Sequence, residues 1–152
     1  MYTRQQLSKL KEDFWTRFGQ YMQPVSSATG EKVNWVNYKT GLPNIRFVMD
    51  ADRQQASIAI VITHGDSAER AKYFNQLKTM KPMLLETTGE EWEWKENDAD
   101  EYGKSMATIS CKTGGIDITD QSTWPVIISF LKLRIIALDA FWADARFILE
   151  ML

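Results

Sequence analysis

The chain has 152 residues, of which 44% are hydrophobic and 25% are charged, so it is long and apolar enough to bury the core of one domain. A formal net charge of −2 argues against a protein built around neutralising phosphates. The single histidine, His64, and the single cysteine, Cys111, exclude an internal disulfide and a His/Cys metal-ligand set. We expect one cytoplasmic domain over residues 1–152, without a membrane span.

The first predicted element is a helix from Thr3 to Gln23. Thr3 and Gln6 form a capping-box pattern, and apolar residues recur every three or four positions until Pro24 ends the helix. Residues 44–50 then alternate between apolar and polar, as a half-buried strand does. Residues 56–63 are rich in isoleucine on both faces, which is typical of a central strand. The polar turn between the two strands predicts a hairpin.

The second half of the chain repeats this order. Asp66 has the position of an N-cap residue and predicts a helix that Pro82 stops or kinks. Residues 90–96 alternate, with both of their tryptophans on one face, and residues 105–112 can pair with them as a second hairpin. The order α-β-β-α-β-β-α predicts an α+β fold, an antiparallel four-stranded sheet with helices packed on it.

A long C-terminal helix is predicted from its cap, Ser122, almost to Leu152. At 100° per residue, four polar residues of this helix form one stripe that we expect to be solvated: Lys132, Asp139, Arg146 and Glu150. Arg134 lies nearly opposite, among apolar residues, so its guanidinium needs an acceptor. Either an ion pair or contacts to carbonyl groups tie the helix to the sheet, or the arginine is presented to an anionic ligand.

Acidic residues are concentrated between Glu86 and Glu101, where eight acids stand against one base, Lys95. Such a cluster is typical of a solvated strand and loop. The alternative is an acidic patch that faces a basic partner.

The segment "EKVNWVNYKTGLP", residues 31–43, combines aromatic and amide side chains without a clear helical or strand period. It predicts an irregular or two-turn helical corner that ends at Gly41. Trp35, Tyr38 and Lys39 either close a corner of the core or form a recognition surface for a base, a peptide or another subunit. Both interpretations stay open at the level of sequence.

His64 follows the predicted central strand and precedes the Asp66 cap, a common position for functional residues. A lone histidine without a nearby nucleophile or second ligand is more typical of a hydrogen-bonded connector. The alternative is a small-anion site formed by His64 and Arg134.

Four charged residues resemble the parts of a PD-(D/E)XK nuclease: Asp50, Asp52, Glu93 and Lys95. In that arrangement the carboxylates hold Mg²⁺ and the lysine positions the attacking water. Solvated charges across neighbouring strands explain Glu93 and Lys95 equally simply, because strand alternation places them opposite two tryptophans.

The motifs "FWTRFGQYM", "NWVNYKTG", "VITHGD" and "ISFLKLRIIALDAFW" together resemble an uncharacterised bacterial family, domain of unknown function, 4268 type. The resemblance spans nearly the whole chain. Similar segments in this family sometimes follow restriction-nuclease-like domains, which implies a DNA-processing or defence context. The resemblance carries no catalytic residues over to this chain.

The sequence therefore favours a non-enzymatic binding or interaction module without a cofactor; Mg²⁺ belongs only to the nuclease alternative. Five residues are the candidate ligand- or partner-binding residues: Trp35, Tyr38, Lys39, His64 and Arg134. A homodimer, another protein and a nucleic acid remain alternatives for the partner, whereas a membrane does not. The sequence assigns no catalytic residue outside the nuclease alternative.

Overall fold

A computed structural model describes residues 2–152 and contains one antiparallel sheet of four strands. The strands are β1 (Ile45–Ala51), β2 (Gln55–Ile62), β3 (Glu93–Ala99) and β4 (Ser105–Gly114). Their spatial order is β1-β2-β4-β3, so both predicted hairpins form and join through the pairing of β2 with β4. The isoleucine-rich strand β2 is central, as its composition predicts.

The helices are α1 (Arg4–Met22), α2 (Ser67–Thr79), α3 (Lys81–Thr88) and α4 (Trp124–Glu150). The predicted α+β class and the order α-β-β-α-β-β-α are confirmed, with a second, short helix after α2. Among residues 2–152, no helix is both long enough and apolar enough to cross a membrane.

One face of the sheet forms the floor of the core. In β1 the predicted alternation is confirmed, since Ile45 and Phe47 are buried while Arg46 and Val48 are exposed. The alternate residues of β2 on the same face are completely buried: Ala56, Ile58, Ile60 and Ile62. Burial of such side chains is the main favourable contribution to folding.

Helix α4 continues this core. Its buried residues include Ile127, Leu131, Ile135 and Leu138, which recur at three- and four-residue steps. On α1, Phe14, Phe18 and Met22 are completely buried. The Phe14 ring meets the Trp124 ring edge to face, with ring centroids 5.4 Å apart. One continuous apolar core therefore links α1, α4 and the sheet.

Two of the predicted helix starts are confirmed by their caps. The Thr3 hydroxyl accepts the Gln6 N–H at 3.1 Å, while the Gln6 side chain accepts the Thr3 N–H at 2.8 Å, a complete capping box. At α2 the Asp66 carboxylate accepts the Ala68 N–H at 2.8 Å.

Helix α3 was not predicted. Pro82 lies in its first turn, where a missing N–H costs no hydrogen bond, so the proline begins a new helix after α2 ends at Thr79. Gly89 ends α3 with a left-handed φ of 74°, a conformation that glycine adopts without strain.

The predicted cap at Ser122 is wrong. A turn of 3-10 helix, Gln121–Thr123, precedes α4, and the Asp120 carboxylate accepts the Ser122 N–H at 3.0 Å. Thr123 takes the cap position of α4 without a side-chain cap. Asp120 therefore provides the capping contact in this region, one turn before the long helix begins.

The predicted solvated stripe on α4 is wrong at Asp139, which is only 4% exposed. Arg146 and Glu150 are exposed as expected, and the Lys132 ammonium lies 4.9 Å from the centre of the Tyr21 ring. The helical period correctly placed these residues on one side of the helix. It could not show that the segment between α1 and β1 covers part of that side.

The acidic stretch is mostly exposed, as expected for a solvated strand and loop. Several of its acids have structural contacts. The Asp100 carboxylate accepts the backbone N–H groups of Tyr102 and Lys104 at 2.9 Å each and closes the β3–β4 turn. Asp98 accepts the Thr108 hydroxyl at 3.1 Å across the same hairpin.

Candidate functional site

Residues 23–44 connect α1 to β1 and lie over the C-terminal half of α4. Between this segment and the helix is an open cleft of about 270 Å³, which we call the α4 cleft. Its polar and charged lining comes from both sides: Ser27, Thr29, Glu31, Tyr38, Lys39, Asp139 and Arg146. Trp142 and Phe147 contribute aromatic surface. An open cleft of this volume, with polar, charged and aromatic lining, has room for a small ligand.

Local turns give the segment its shape. The Asn34 side-chain oxygen accepts the N–H groups of Val36 and Asn37 at 3.1 Å each, an Asx turn that makes the predicted corner irregular. The Thr40 hydroxyl donates to the Ile45 carbonyl at 2.7 Å, and the Trp142 indole N–H donates to the Thr40 carbonyl at 2.7 Å. These contacts fix the segment against both β1 and α4.

A second turn begins the segment. The Ser27 N–H bonds to the Glu31 carbonyl and the Gly30 N–H bonds to the Ser27 carbonyl, both at 2.9 Å. This turn directs the Ala28 N–H towards α4, where it donates to Asp139 Oδ2 at 2.7 Å. A backbone donor from the loop therefore meets a carboxylate from the helix.

Asp139 is the centre of the α4 cleft. Its Oδ1 accepts the Tyr38 hydroxyl at 2.5 Å, in addition to the bond from Ala28 to Oδ2. Such short bonds to a charged acceptor are among the stronger hydrogen bonds in proteins. None of the ion pairs found within residues 2–152 involves Asp139. A nearly buried carboxylate is thus held by two donors and by no cationic side chain.

The environment of Tyr38 has a clear electrostatic effect. Burial raises the pKa of its phenol, and the hydrogen bond to Asp139 and the charge of Asp139 raise it further. Arg146 opposes the shift but does not cancel it. The phenol therefore remains protonated at neutral pH and acts as a hydrogen-bond donor to the carboxylate.

The two cationic residues of the lining are differently placed. The Arg146 Nε donates to Glu150 Oε1 at 2.7 Å, one turn along α4, and its guanidinium lies directly over Gly41. Gly41 has a φ of 81°, and a Cβ at this position would lie 2.7 Å from Arg146 Cζ. Lys39 is exposed at the edge of the α4 cleft.

Trp35, one of the predicted site residues, is only 3% exposed. Its indole N–H donates to the Val25 carbonyl at 3.0 Å, and its ring contacts the Tyr38 ring with centroids 6.0 Å apart. The row of aromatic contacts continues from Tyr38 to Phe47 and from Phe47 to Trp142. Trp35 thus supports Tyr38 from within the core, while Tyr38 and Lys39 line the α4 cleft.

Arg134 lies in a different place. Its guanidinium contacts the Glu90 carboxylate through both oxygens, with Nε 2.7 Å from Oε1 and Nη2 3.0 Å from Oε2. Nη1 donates to the Phe130 carbonyl at 3.1 Å. The expected ion pair is therefore confirmed; it ties α4 to the loop before β3.

Cys111 on β4 joins this ion pair, since its thiol lies 3.5 Å from Glu90 Oε1. Burial raises the pKa of the Cys111 thiol, whereas Arg134 acts to lower it. A protonated thiol at neutral pH is a weak nucleophile, so the arrangement is that of a structural contact.

His64 lies between β2 and α2 and stacks on the Tyr73 ring with centroids 4.4 Å apart. Its carbonyl accepts the Arg70 guanidinium at 2.8 Å, while its buried Nδ1 has no hydrogen-bond partner within the described chain. Burial lowers the pKa of His64; Glu69 opposes that shift and Arg70 adds to it.

The structure does not bring His64 and Arg134 together. His64 follows the end of β2, where Ile62 pairs with Ala107 of β4. Arg134 contacts Cys111, which lies four residues beyond Ala107 on β4. At about 3.3 Å per residue this is a separation of about 13 Å along the strand.

The four residues of the nuclease alternative also lie apart. Asp50 is on β1 and Asp52 follows it, whereas Glu93 and Lys95 are on β3, at the opposite edge of the sheet. Three strand spacings of about 4.8 Å separate these edges by about 14 Å. Asp52 accepts two N–H groups of the β1–β2 turn at 2.8 Å each, and Lys95 lies 3.4 Å from Glu93.

No group of three His, Cys, Asp or Glu side chains within the part of the chain described by the structure is placed to hold a metal ion. Glu93 and Lys95 of the predicted E-x-K triplet form a local charge pair on the exposed face of β3. Its two side chains are about half exposed, as expected for solvated charges on neighbouring positions of one strand face.

Sequence reasoning missed Asp139 and Arg146 as components of the candidate site. It assigned both to a solvated stripe, because their helical spacing places them on one side of α4 with Lys132. A sequence signal does exist: Asp139 is a single acid within the apolar run "IIALDAFW". An isolated acid in such a run indicates a buried carboxylate with dedicated donors.

The model of the family described as "Domain of unknown function (DUF4268)" matches residues 10–146, and the chain belongs to this family. No curated protein and no solved structure shows a significant match to the chain.

Proposed function

We propose that this member of the DUF4268 family is a non-enzymatic binding module of the cytoplasm and that its ligand occupies the α4 cleft. The observation that carries the proposal is the buried Asp139 carboxylate, fixed by Tyr38 and Ala28 at the inner end of an open cleft. Dedicated donors orient such a group for a ligand before the ligand arrives, which reduces the cost of binding.

The chemistry of Tyr38 supports binding rather than proton transfer. A general acid or base works best with a pKa near the working pH, whereas the pKa of Tyr38 is shifted away from neutrality by burial and by Asp139. The phenol thus keeps its proton at neutral pH.

The test is chemical-shift mapping by NMR with a set of small polar molecules, nucleotides and short DNA. DNA is included because the resemblance of the sequence to its family implies a DNA-processing context. At least one ligand should shift the amide signals of the α4 cleft, and Tyr38→Phe or Lys39→Ala should change its affinity. Lys95→Ala, on the far edge of the sheet, is the control and should change nothing. Shifts that map only outside the α4 cleft, or none for any compound, would refute the proposal.

A second candidate function, self-association, is favoured by the outer face of α4. Four apolar side chains lie within about 60° of one another on this helix and are exposed by 57–78%: Val126, Leu133, Phe147 and Met151. Exposed apolar surface of this kind marks contact sites. The small residues Ala137 and Ala140 lie near the middle of the row, so two copies can cross antiparallel and present the same residues to each other.

Sedimentation velocity over a concentration series tests this second candidate. A monomer–dimer equilibrium is expected, and Leu133→Glu should abolish it. Tyr102→Glu changes a side chain that is 86% exposed in the β3–β4 turn and serves as the matched control. A protein that stays monomeric at its highest soluble concentration would rule out association through this face.

A further inference from the structure

Within residues 2–152, no cationic side chain forms an ion pair with Asp139. The carboxylate is 4% exposed, and Arg146, seven residues along the same side of α4, is engaged by Glu150 at 2.7 Å. A buried charge that is satisfied only by neutral donors remains unfavourable compared with one that also has a counter-ion.

The two donors leave acceptor capacity on the carboxylate. Each oxygen of an ionised carboxylate has two lone pairs, and Tyr38 and Ala28 use one on each oxygen. Asp139 contributes to the lining of the α4 cleft, as does a second acid, Glu31. Trp142 and Phe147 add ring surface, which attracts cations.

We propose that the α4 cleft binds a small molecule through a primary ammonium or guanidinium group, with Asp139 as its counter-ion and Glu31 as a second acidic contact. This inference rests on the proposed function and names the ligand class of the same site. Lys39, exposed at the edge, repels such a group, so its removal strengthens binding rather than weakening it.

The volume of the α4 cleft agrees with this ligand class. About 270 Å³ accommodates an alkylammonium or alkylguanidinium group with a short substituent, and it is below the range of most drug-sized ligand sites. Lys39 and Phe147 line the α4 cleft and are both exposed, so the remainder of the molecule can extend past them into solvent.

The experiment uses four probes of similar size on the full chain: butylammonium chloride, methylguanidinium chloride, sodium butyrate and butanol, at constant ionic strength. The backbone amide of Ala28 reports binding in an NMR titration, since its N–H bonds to Asp139. The two cations should give saturable shifts at Ala28, and butyrate and butanol should not.

Two variants on α4 form a matched pair. Asp139→Asn keeps the shape of the side chain and removes its charge, so it should weaken cation binding about 10-fold or more. Asp144→Asn removes an exposed charge five residues further along the same helix and should leave the affinity within about 2-fold. Lys39→Ala should increase the affinity for both cations.

Asp139→Asn is a substitution in the core, so the wild-type comparison and Lys39→Ala keep the inference testable if that variant does not fold. Saturable binding of butyrate without binding of the cations would overturn the inference and leave the proposed cleft function in place. Weaker cation binding by Lys39→Ala would also overturn it. If no ligand of any charge, including those of the wider mapping set, shifts the cleft signals, both the inference and the proposed function fail.

Discussion

The contact between Tyr38 and Asp139 gives a prediction about stability. Tyr38→Phe removes the hydroxyl that donates to Oδ1 at 2.5 Å and leaves Asp139 with the Ala28 donor. A hydrogen bond to a charged group contributes about 1.5–3 kcal/mol, and Tyr38 is only half-buried beside an open cleft, so water replaces part of the loss. We expect the free energy of unfolding to fall by about 1–2 kcal/mol.

Urea unfolding followed by tryptophan fluorescence measures this change. With a slope of about 2 kcal/mol per molar urea, the midpoint should fall by about 0.5–1 M. A double-mutant cycle with Asp139→Ala should give a coupling free energy of about 1–2 kcal/mol. Tyr102→Phe, at a tyrosine that is 86% exposed, is the control and should stay within about 0.5 kcal/mol of the wild type.

The pH dependence of the same contact follows from the raised pKa of Tyr38. A raised folded-state pKa means that the folded protein keeps the proton longer than the unfolded chain does. The stability that Tyr38 contributes is therefore fully present below the ordinary pKa of 10.0 and is lost as the pH rises through the folded-state pKa. A coupling free energy near zero, or a difference between wild type and Tyr38→Phe that grows above pH 10.0, would refute this reasoning.

Three further predictions concern other parts of the fold. Gly41→Ala should lower the free energy of unfolding by about 1–3 kcal/mol, because it combines a φ of 81° with a contact of 2.7 Å to a guanidinium carbon. Glu90→Gln should lower the free energy of unfolding by about 1–2 kcal/mol, because Arg134 then loses its charged partner at a site that is partly screened by solvent. His64 should lower stability as the pH falls below 6.5, because its pKa is lowered by burial and the unfolded chain takes up the proton first.

Each of these predictions has a control in the same chain. Gly30→Ala has a similar φ of 84° and no neighbour within 4 Å, so it should cost less than Gly41→Ala in urea unfolding. Glu93→Gln affects the more exposed pair of Glu93 and Lys95 and should hardly change the free energy of unfolding. If Gly30→Ala lowered the free energy of unfolding as much as Gly41→Ala does, the argument from the Arg146 contact would be wrong. In the same way, equal losses for Glu93→Gln and Glu90→Gln would contradict the argument from the Arg134 ion pair. If the free energy of unfolding of His64→Gln depended on pH in the same way as that of the wild type, the loss of stability could not be assigned to protonation of His64.

The elements that were predicted correctly have strong local signals. The capping box at Thr3 and the Asp66 cap involve residues two or three positions apart, and the alternation in β1 needs only seven residues. The missed helix α3 also has a local cause. Pro82 was interpreted as an end, although proline is accepted equally well at a helix start.

The candidate site was only partly predictable. The unusual composition of residues 31–43 draws attention to Tyr38 and Lys39, and the structure places both in the lining of the α4 cleft. Trp35 lies beneath them in the core, and its burial depends on how the segment folds over α4. The separation of Asp50 from Glu93 depends on the sheet order, which places their strands at opposite edges.

Except for α3 and the cap of α4, the sequence by itself determined the elements and the sides of them that face the core, because caps, turns and hydrophobic periods act between residues that are close along the chain. Only the tertiary structure decided which groups cover and bind Asp139, since its donors, Ala28 and Tyr38, are 111 and 101 positions away in sequence. A helical period shows which residues share one side of a helix. What covers that side is decided by packing between segments that are distant in sequence. The helical period assigns Asp139 to solvent, but the packed segment of residues 23–44 makes it the centre of the α4 cleft.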